Sequence, residues 1–98
     1  MIAFNGNLDG PKEASALRDL GDSLRARRIE RGETQAEAAR RVGMSIPTYQ
    51  KLEQGSPSAS MGSWARVLSD HKALGALSSL LPVSLFSAGM ERRRSSRK

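Results

Sequence analysis

The chain has 98 residues, of which 38% are hydrophobic and only four are aromatic, so it can close one modest core made mainly of aliphatic side chains. It contains no cysteine, which excludes a disulfide framework and a thiolate metal site. Its net charge of +6 favours a polyanionic partner such as DNA.

The basic charge is concentrated at the C-terminal end. Residues 1–90 hold eleven Lys/Arg against nine Asp/Glu, a net +2, and residues 91–98 supply the other +4. Such a tail either binds a polyanion or is an ordinary solvated end. No apolar run approaches the roughly 20 residues of a membrane span, and no basic and apolar leader opens the chain. We therefore expect a cytoplasmic protein with no membrane partner.

The N-terminal third predicts a lead-in followed by a long helix. Residues 1–11 combine Gly, Asn and Pro without a helical period, which is typical of a flexible lead-in. Over residues 12–30 apolar side chains recur at helical spacing, and Gly32 follows as a stop. The residues that mark the inner face of this first helix are Leu17, Leu20 and Leu24.

Residues 34–55 predict two short helices joined by a tight turn. Thr34 and Glu37 have the spacing of a capping box, in which each side chain accepts a hydrogen bond from the other residue's backbone N–H. Gly43 then allows the left-handed backbone of a sharp helix exit. Ser45 can cap a third helix, and Gly55 ends it.

Two more helices are predicted before the C-terminal region. Ser60 can cap a fourth helix, and the lone tryptophan, Trp64, falls on its apolar face, which favours a core position over a base-stacking role. A fifth helix is halted by Pro82. The residues that mark it are Leu74, Leu77 and Leu81.

The folded domain is therefore expected to span residues 12–82. Residues 83–90 begin with an apolar stretch containing Val83, Leu85 and Phe86. The fifth helix and this segment are the candidates for a dimer interface. The segment either pairs as a short strand across the dimer or folds back on its own subunit. The basic tail, residues 91–98, completes the chain.

The third helix is amphipathic, as reading of the DNA major groove requires. The groove is about 12 Å wide and admits one helix, which must bury one face and expose polar groups on the other. Tyr49 and Leu52 form the inward face. The residues on the opposite side are Ile46, Pro47, Gln50, Lys51 and Gln54.

A positive charge on the inner face of the first helix predicts an acidic partner nearby. Continuing the leucine stripe by one turn leads to Arg28, and Glu53 lies beside Leu52 on the inward side of the third helix. Because a buried charge is costly unless it is paired, an Arg28–Glu53 ion pair would hold the two helices together. Alternatively, both side chains extend to solvent.

Five arginines flank the two-helix motif and are candidates for phosphate contact, which fixes the register of a protein on duplex DNA. They can equally be ordinary solvated charges on helix surfaces. These residues are Arg25, Arg27, Arg31, Arg40 and Arg41.

The combined spacing of these residues resembles the Xre family, the group of the lambda and Cro repressors. The likeness covers about residues 17–81. It is carried by Leu24, Arg25, Arg28, Gly32, Thr34, Gln35, Glu37, Ala39, Val42, Gly43, Ser45, Tyr49, Leu52, Glu53 and Gly55.

The resemblance implies an all-α fold of five helices and a two-fold dimer on a near-palindromic operator in double-stranded DNA. It places Gln35 on a phosphate and matches Arg28 and Glu53 to the family's structural ion pair. It directs five residues toward base edges: Ser45, Ile46, Pro47, Gln50 and Lys51. Two departures are that Ala38 replaces the usual Leu and that Ile46-Pro47 replaces residues that are often polar.

Residues 56–61, 64–68 and 77–81 are similar to HipB-type repressors. That likeness implies an antitoxin that represses its own operon and holds a HipA-like kinase toxin. The alternatives are a freestanding or phage-type repressor, or a protein-interaction module that has lost DNA binding. No nucleophile and base can be paired in the sequence, so we expect no enzymatic activity, no metal and no cofactor.

Overall fold

The computed structural model describes residues 10–81, and this part of the chain is entirely helical. Four α-helices and one 3₁₀ helix follow one another without an intervening strand, which confirms the predicted all-α fold. They are α1 (Pro11–Glu30), α2 (Gln35–Val42), α3 (Ile46–Gln54), α4 (Met61–Asp70) and the 3₁₀ helix (Leu74–Ser79). No helix within residues 10–81 is long and apolar enough to cross a membrane.

Side-chain caps start the three short α-helices at the predicted places. Thr34 and Glu37 form the complete capping box at α2: Glu37 N donates to Thr34 Oγ1 at 3.0 Å, and Thr34 N donates to Glu37 Oε1 at 2.8 Å. Ser45 and Ser60 accept hydrogen bonds from the third residue of α3 and α4. Each cap stabilises its helix by about 1 kcal/mol because it satisfies a backbone N–H that the helix leaves unpaired.

The turn between α2 and α3 depends on a glycine and on an arginine from outside the motif. Gly43 ends α2 with φ +72°, a left-handed conformation that costs other residues free energy. Arg66 of α4 donates from Nη1 to the carbonyl oxygens of Val42 and Gly43, at 3.4 and 3.1 Å. A cation thus caps the negative end of the α2 dipole.

The core lies where α1, α2, α3 and α4 meet. Small side chains from α2 allow close packing against the single tryptophan and tyrosine, and Trp64 is buried as predicted. The buried apolar residues are Leu24, Ala38, Ala39, Tyr49, Leu52, Trp64 and Val67.

The crossing of α1 over the end of α3 is unusually close. A Cβ atom added to Gly21 would lie 2.4 Å from the carbonyl oxygen of Glu53, and one added to Gly55 would lie 2.4 Å from that of Leu17. Gly55 also has φ +68°. Only residues without a side chain let these two backbones approach so closely.

Three expectations differ from the structure. The fifth helix is a 3₁₀ helix that ends at Ser79 rather than an α-helix reaching Leu81; six residues that include Gly75 are too short to stabilise an α-helix. Leu20 is 41% exposed, because α4 covers only part of the α1 stripe. Helix α1 begins at Pro11, inside the expected lead-in, since proline suits a first helical position.

The lead-in before residue 10, the 83–90 segment and the 91–98 tail lie outside the described residues.

Replacing Gly21 by Ala should destabilise the fold by about 1–3 kcal/mol, because its Cβ would meet backbone that cannot move aside. Gly62 is a matched control: it is also helical, and an added Cβ would find only Ser60 Oγ, at 3.8 Å. Gly62→Ala should be neutral or stabilising by up to about 1 kcal/mol. Urea unfolding of both variants measures the difference, and equal effects would contradict the close crossing.

Candidate nucleic-acid interface

The outer face of α3 is open to solvent. Ser45, at its N-terminus, is exposed, as are Pro47 and Lys51, and Ile46 is 43% exposed. Tyr49 and Leu52 point the other way and are almost fully buried. The helix therefore presents the predicted mixture of apolar and polar groups on one accessible side.

A bidentate ion pair between Arg28 and Glu53 fixes α3 against α1. Arg28 Nε lies 2.6 Å from Glu53 Oε2, and Arg28 Nη2 lies 3.1 Å from Glu53 Oε1. Arg28 Nη1 also donates to the carbonyl oxygen of Glu33, just before α2, at 2.8 Å. The two side chains are only 12% and 3% exposed, so neither extends to solvent. One guanidinium on α1 thus binds both α3 and the segment before α2 in a fixed geometry.

Glu53 is held in its ionised form. Burial alone would raise the pKa of this carboxyl, but hydrogen bonds from Arg28 and Gln35 lower the pKa below its ordinary value. Burial, followed by the hydrogen bond and negative charge of Glu53, raises the pKa of Tyr49. Glu53 is therefore an acceptor of hydrogen bonds at neutral pH, surrounded by donors.

Gln35 and Gln50 are joined to the ion pair by a chain of hydrogen bonds that the sequence did not reveal. Gln35 Nε2 donates to Glu53 Oε1 at 3.0 Å, and Gln50 Nε2 donates to Gln35 Oε1 at 3.0 Å. Both polar atoms of the Gln35 side chain are therefore engaged within the protein. Gln50 is half-buried, whereas its neighbour Lys51 is exposed.

The five flanking arginines fall into two groups. All five are exposed, and three of them form no ion pair with any residue between 10 and 81: Arg25, Arg27 and Arg40. The other two, Arg31 and Arg41, both donate to Asp70 Oδ2, at 2.7 and 2.5 Å. Arg41 also pairs with Glu33. This ionic network joins the ends of α1 and α4 to α2.

Asp70 was missed by the sequence analysis because its partners are 29 and 39 residues away. Its spacing suggests a pair with Arg66, one turn earlier on α4, but Arg66 binds the carbonyl oxygens at the end of α2. Burial alone would raise the pKa of Asp70, but hydrogen bonds from Arg31 and Arg41 lower it below its ordinary value. Only the packing of α4 against α2 brings these charges together.

A family model described as a helix-turn-helix domain matches residues 19–80, more than half of the chain. No curated protein and no solved structure matches the chain. The matched span includes α2, the turn at Gly43 and α3, together with the residues that hold them in place.

The free energy of unfolding should fall as the pH drops below the ordinary carboxyl values of 4.5 for Glu53 and 3.8 for Asp70. Because the folded-state pKa of each group is lowered, the stabilisation is complete above these values and is lost as the pH falls through the folded-state pKa. Urea unfolding between about pH 5 and pH 2 measures the loss.

Asp70→Asn should remove only the part of this acid-induced loss of stability that comes from the ionic network around Asp70. The loss that remains should come from protonation of Glu53. A free energy of unfolding that stays constant over this pH range would contradict the ionised, paired state of both carboxylates.

Proposed function

Because the chain belongs to the helix-turn-helix domain family of DNA-binding regulators, we propose that it is a sequence-specific transcriptional repressor. In this proposal α3 inserts into the major groove. The open outer face of α3 is the main support. The buried Arg28–Glu53 pair fixes the inner face of α3, so the exposed side chains project from a helix whose position is well defined.

Base contacts are assigned to the outer face of α3. Lys51 can donate to guanine, the amide of Gln50 can pair with a base edge, and Ile46 can contact the methyl group of thymine. Pro47 and Ser45 lie at the start of the helix, where close approach to the groove is expected. With two apolar residues among five, the shape of the DNA should contribute to selectivity as well.

Phosphate contacts are assigned to the exposed arginines Arg25, Arg27 and Arg40. Gln35, at the first position of α2, lies where the helix dipole also favours a phosphate. Arg31 and Arg41 are weaker candidates, because a phosphate would have to compete with Asp70 for both guanidinium groups. The basic residues 91–98 add charge that favours any duplex.

A homodimer completes the proposal, because one reading helix covers about half of a typical site and two-fold symmetry supplies the second. We place the interface on an apolar groove of about 520 Å³ between α1, α4 and the 3₁₀ helix. Its lining residues include Leu17, Leu20, Met61, Trp64, Leu77 and Leu80. No residue of the outer face of α3 lines it, so a second copy seated there leaves the reading surface open.

The antitoxin version of the proposal, with a HipA-like kinase as partner, is supported only by the sequence likeness of residues 56–61, 64–68 and 77–81 to HipB-type repressors. A freestanding or phage-type repressor has the same DNA-binding surface. A kinase gene beside this one, whose product co-purifies with the chain, would favour the antitoxin. A pure interaction module is disfavoured by the exposed Lys51 and by the three flanking arginines that form no ion pair within residues 10–81.

Selection of bound fragments from random duplex DNA should yield a site with two-fold symmetry, and affinity should fall steeply with salt as counterions return to the phosphates. Lys51→Ala should cost about 1–3 kcal/mol on the selected site and little on random DNA. Arg40→Ala is the control and should weaken both alike. If Lys51→Ala kept full preference for the selected site with unchanged melting, α3 would not be the reading element.

Leu80→Lys should convert the dimer to monomers in sedimentation experiments, because it places a charge at the rim of the apolar groove. Leu74→Lys is the matched control: Leu74 begins the 3₁₀ helix that Leu80 follows and is also exposed, but it does not line the groove. A wild-type chain that remains monomeric at high concentration would contradict the dimer.

A further inference from the structure

The negative charge of Glu53 determines which groups donate and which accept in the chain of hydrogen bonds from Arg28 to Gln50. Glu53 is ionised and 3% exposed, so its carboxylate can only accept hydrogen bonds and has little water to accept them from. Gln35 must therefore turn its amide nitrogen toward Glu53, as the 3.0 Å contact from Gln35 Nε2 to Glu53 Oε1 requires. The opposite rotation would place two acceptors against each other.

The orientation of Gln35 determines that of Gln50. With its nitrogen committed to Glu53, Gln35 offers only its carbonyl oxygen to α3, and Gln50 meets it with Nε2 at 3.0 Å. Gln50 is left with its own carbonyl oxygen and one N–H for other partners. The negative charge of Glu53 thus determines, through the amide of Gln35, how the amide of Gln50 is oriented on the outer face of α3.

We propose that Glu53, acting through Gln35, sets the hydrogen-bonding edge that Gln50 presents to DNA, so that this position of the site is adenine rather than guanine. An acceptor beside a donor matches the N6 amino group and N7 of adenine. A reversed Gln50 would give its oxygen to residue 35 and present two N–H groups, which match O6 and N7 of guanine.

The assignment rests on the proposed function, because it names the base that α3 reads. Gln35 and Glu53 are positioning residues in it, and Gln50 is the residue in contact with the base. Gln35 consequently has a role within the protein in addition to any phosphate contact.

The test compares the sites selected from random duplex DNA by the wild-type chain and by variants at residue 35. Gln50→Ala first identifies the position that Gln50 reads, where the wild type should prefer adenine over guanine on the order of tenfold. Gln35→Lys replaces an amide with a pure donor, which still pairs with Glu53 but can only donate to the oxygen of Gln50. It should reverse the preference to guanine.

Two controls separate orientation from charge and from loss of contact. Ser69→Lys adds the same charge at an exposed position of α4, away from the outer face of α3, and should leave the adenine preference unchanged. Gln35→Met has a similar length but no polar group, so Gln50 should rotate freely and the preference between adenine and guanine should largely disappear. Thermal melting checks that each variant is folded. If Gln35→Lys is unfolded, Gln35→Met alone decides whether Gln35 orients Gln50.

A measurement without DNA distinguishes this inference from the proposed function. In the free protein, NMR should detect a scalar coupling from the Gln50 side-chain nitrogen to the Gln35 side-chain carbonyl carbon, and Gln35→Met should lack it. The inference is wrong if the coupling is absent, if the position read by Gln50 is guanine, or if folded Gln35→Lys still prefers adenine. In each of these cases, site-specific binding by the wild type still supports the proposed function. If the wild type selects no site, both are wrong.

Discussion

A carboxylate in the core of a small domain must be neutralised where it lies, and Glu53 imposes this requirement on the whole motif. Its bidentate partner Arg28 comes from α1, and Gln35 at the start of α2 donates a further hydrogen bond. The glycines at 21 and 55 bring the backbones of α1 and α3 close enough for that geometry. The position of α3 therefore follows from one buried charge, the donors around it and the absence of two side chains.

The two ionic clusters of the domain differ in what they contribute. Removing one partner of a buried, hydrogen-bonded pair such as Arg28–Glu53 costs about 3–5 kcal/mol, because the remaining charge has no water to solvate it. The network around Asp70 is more exposed and is screened by salt, so each of its pairs is worth about 1 kcal/mol or less. The buried pair defines the geometry of the motif, while the outer network adds a weaker connection between α2 and α4.

Much of the fold could be predicted from the sequence because its signals are local. The capping box at Thr34, the glycine at 43 and the serine caps act within a few residues, and an arginine on an apolar stripe called for a partner such as Glu53. The remainder depends on packing that the sequence does not specify. The exposure of Leu20 follows from how much of α1 is covered by α4, and Asp70 meets its arginines only after α4 has docked. The pairing of Gln35 with Gln50 likewise requires the final angle between α2 and α3.

The hydrogen bonds from Arg66 to the carbonyl oxygens of Val42 and Gly43 mean that the turn of the motif is completed by a residue beyond it. Residues 34–55 are consequently not a self-contained cassette. Transplanted into a scaffold without a donor at the matching place, they would leave the end of α2 without its cation and the angle between the helices less constrained. New binding preferences are better engineered by exchanging side chains on the outer face of α3 within this framework than by grafting the motif elsewhere.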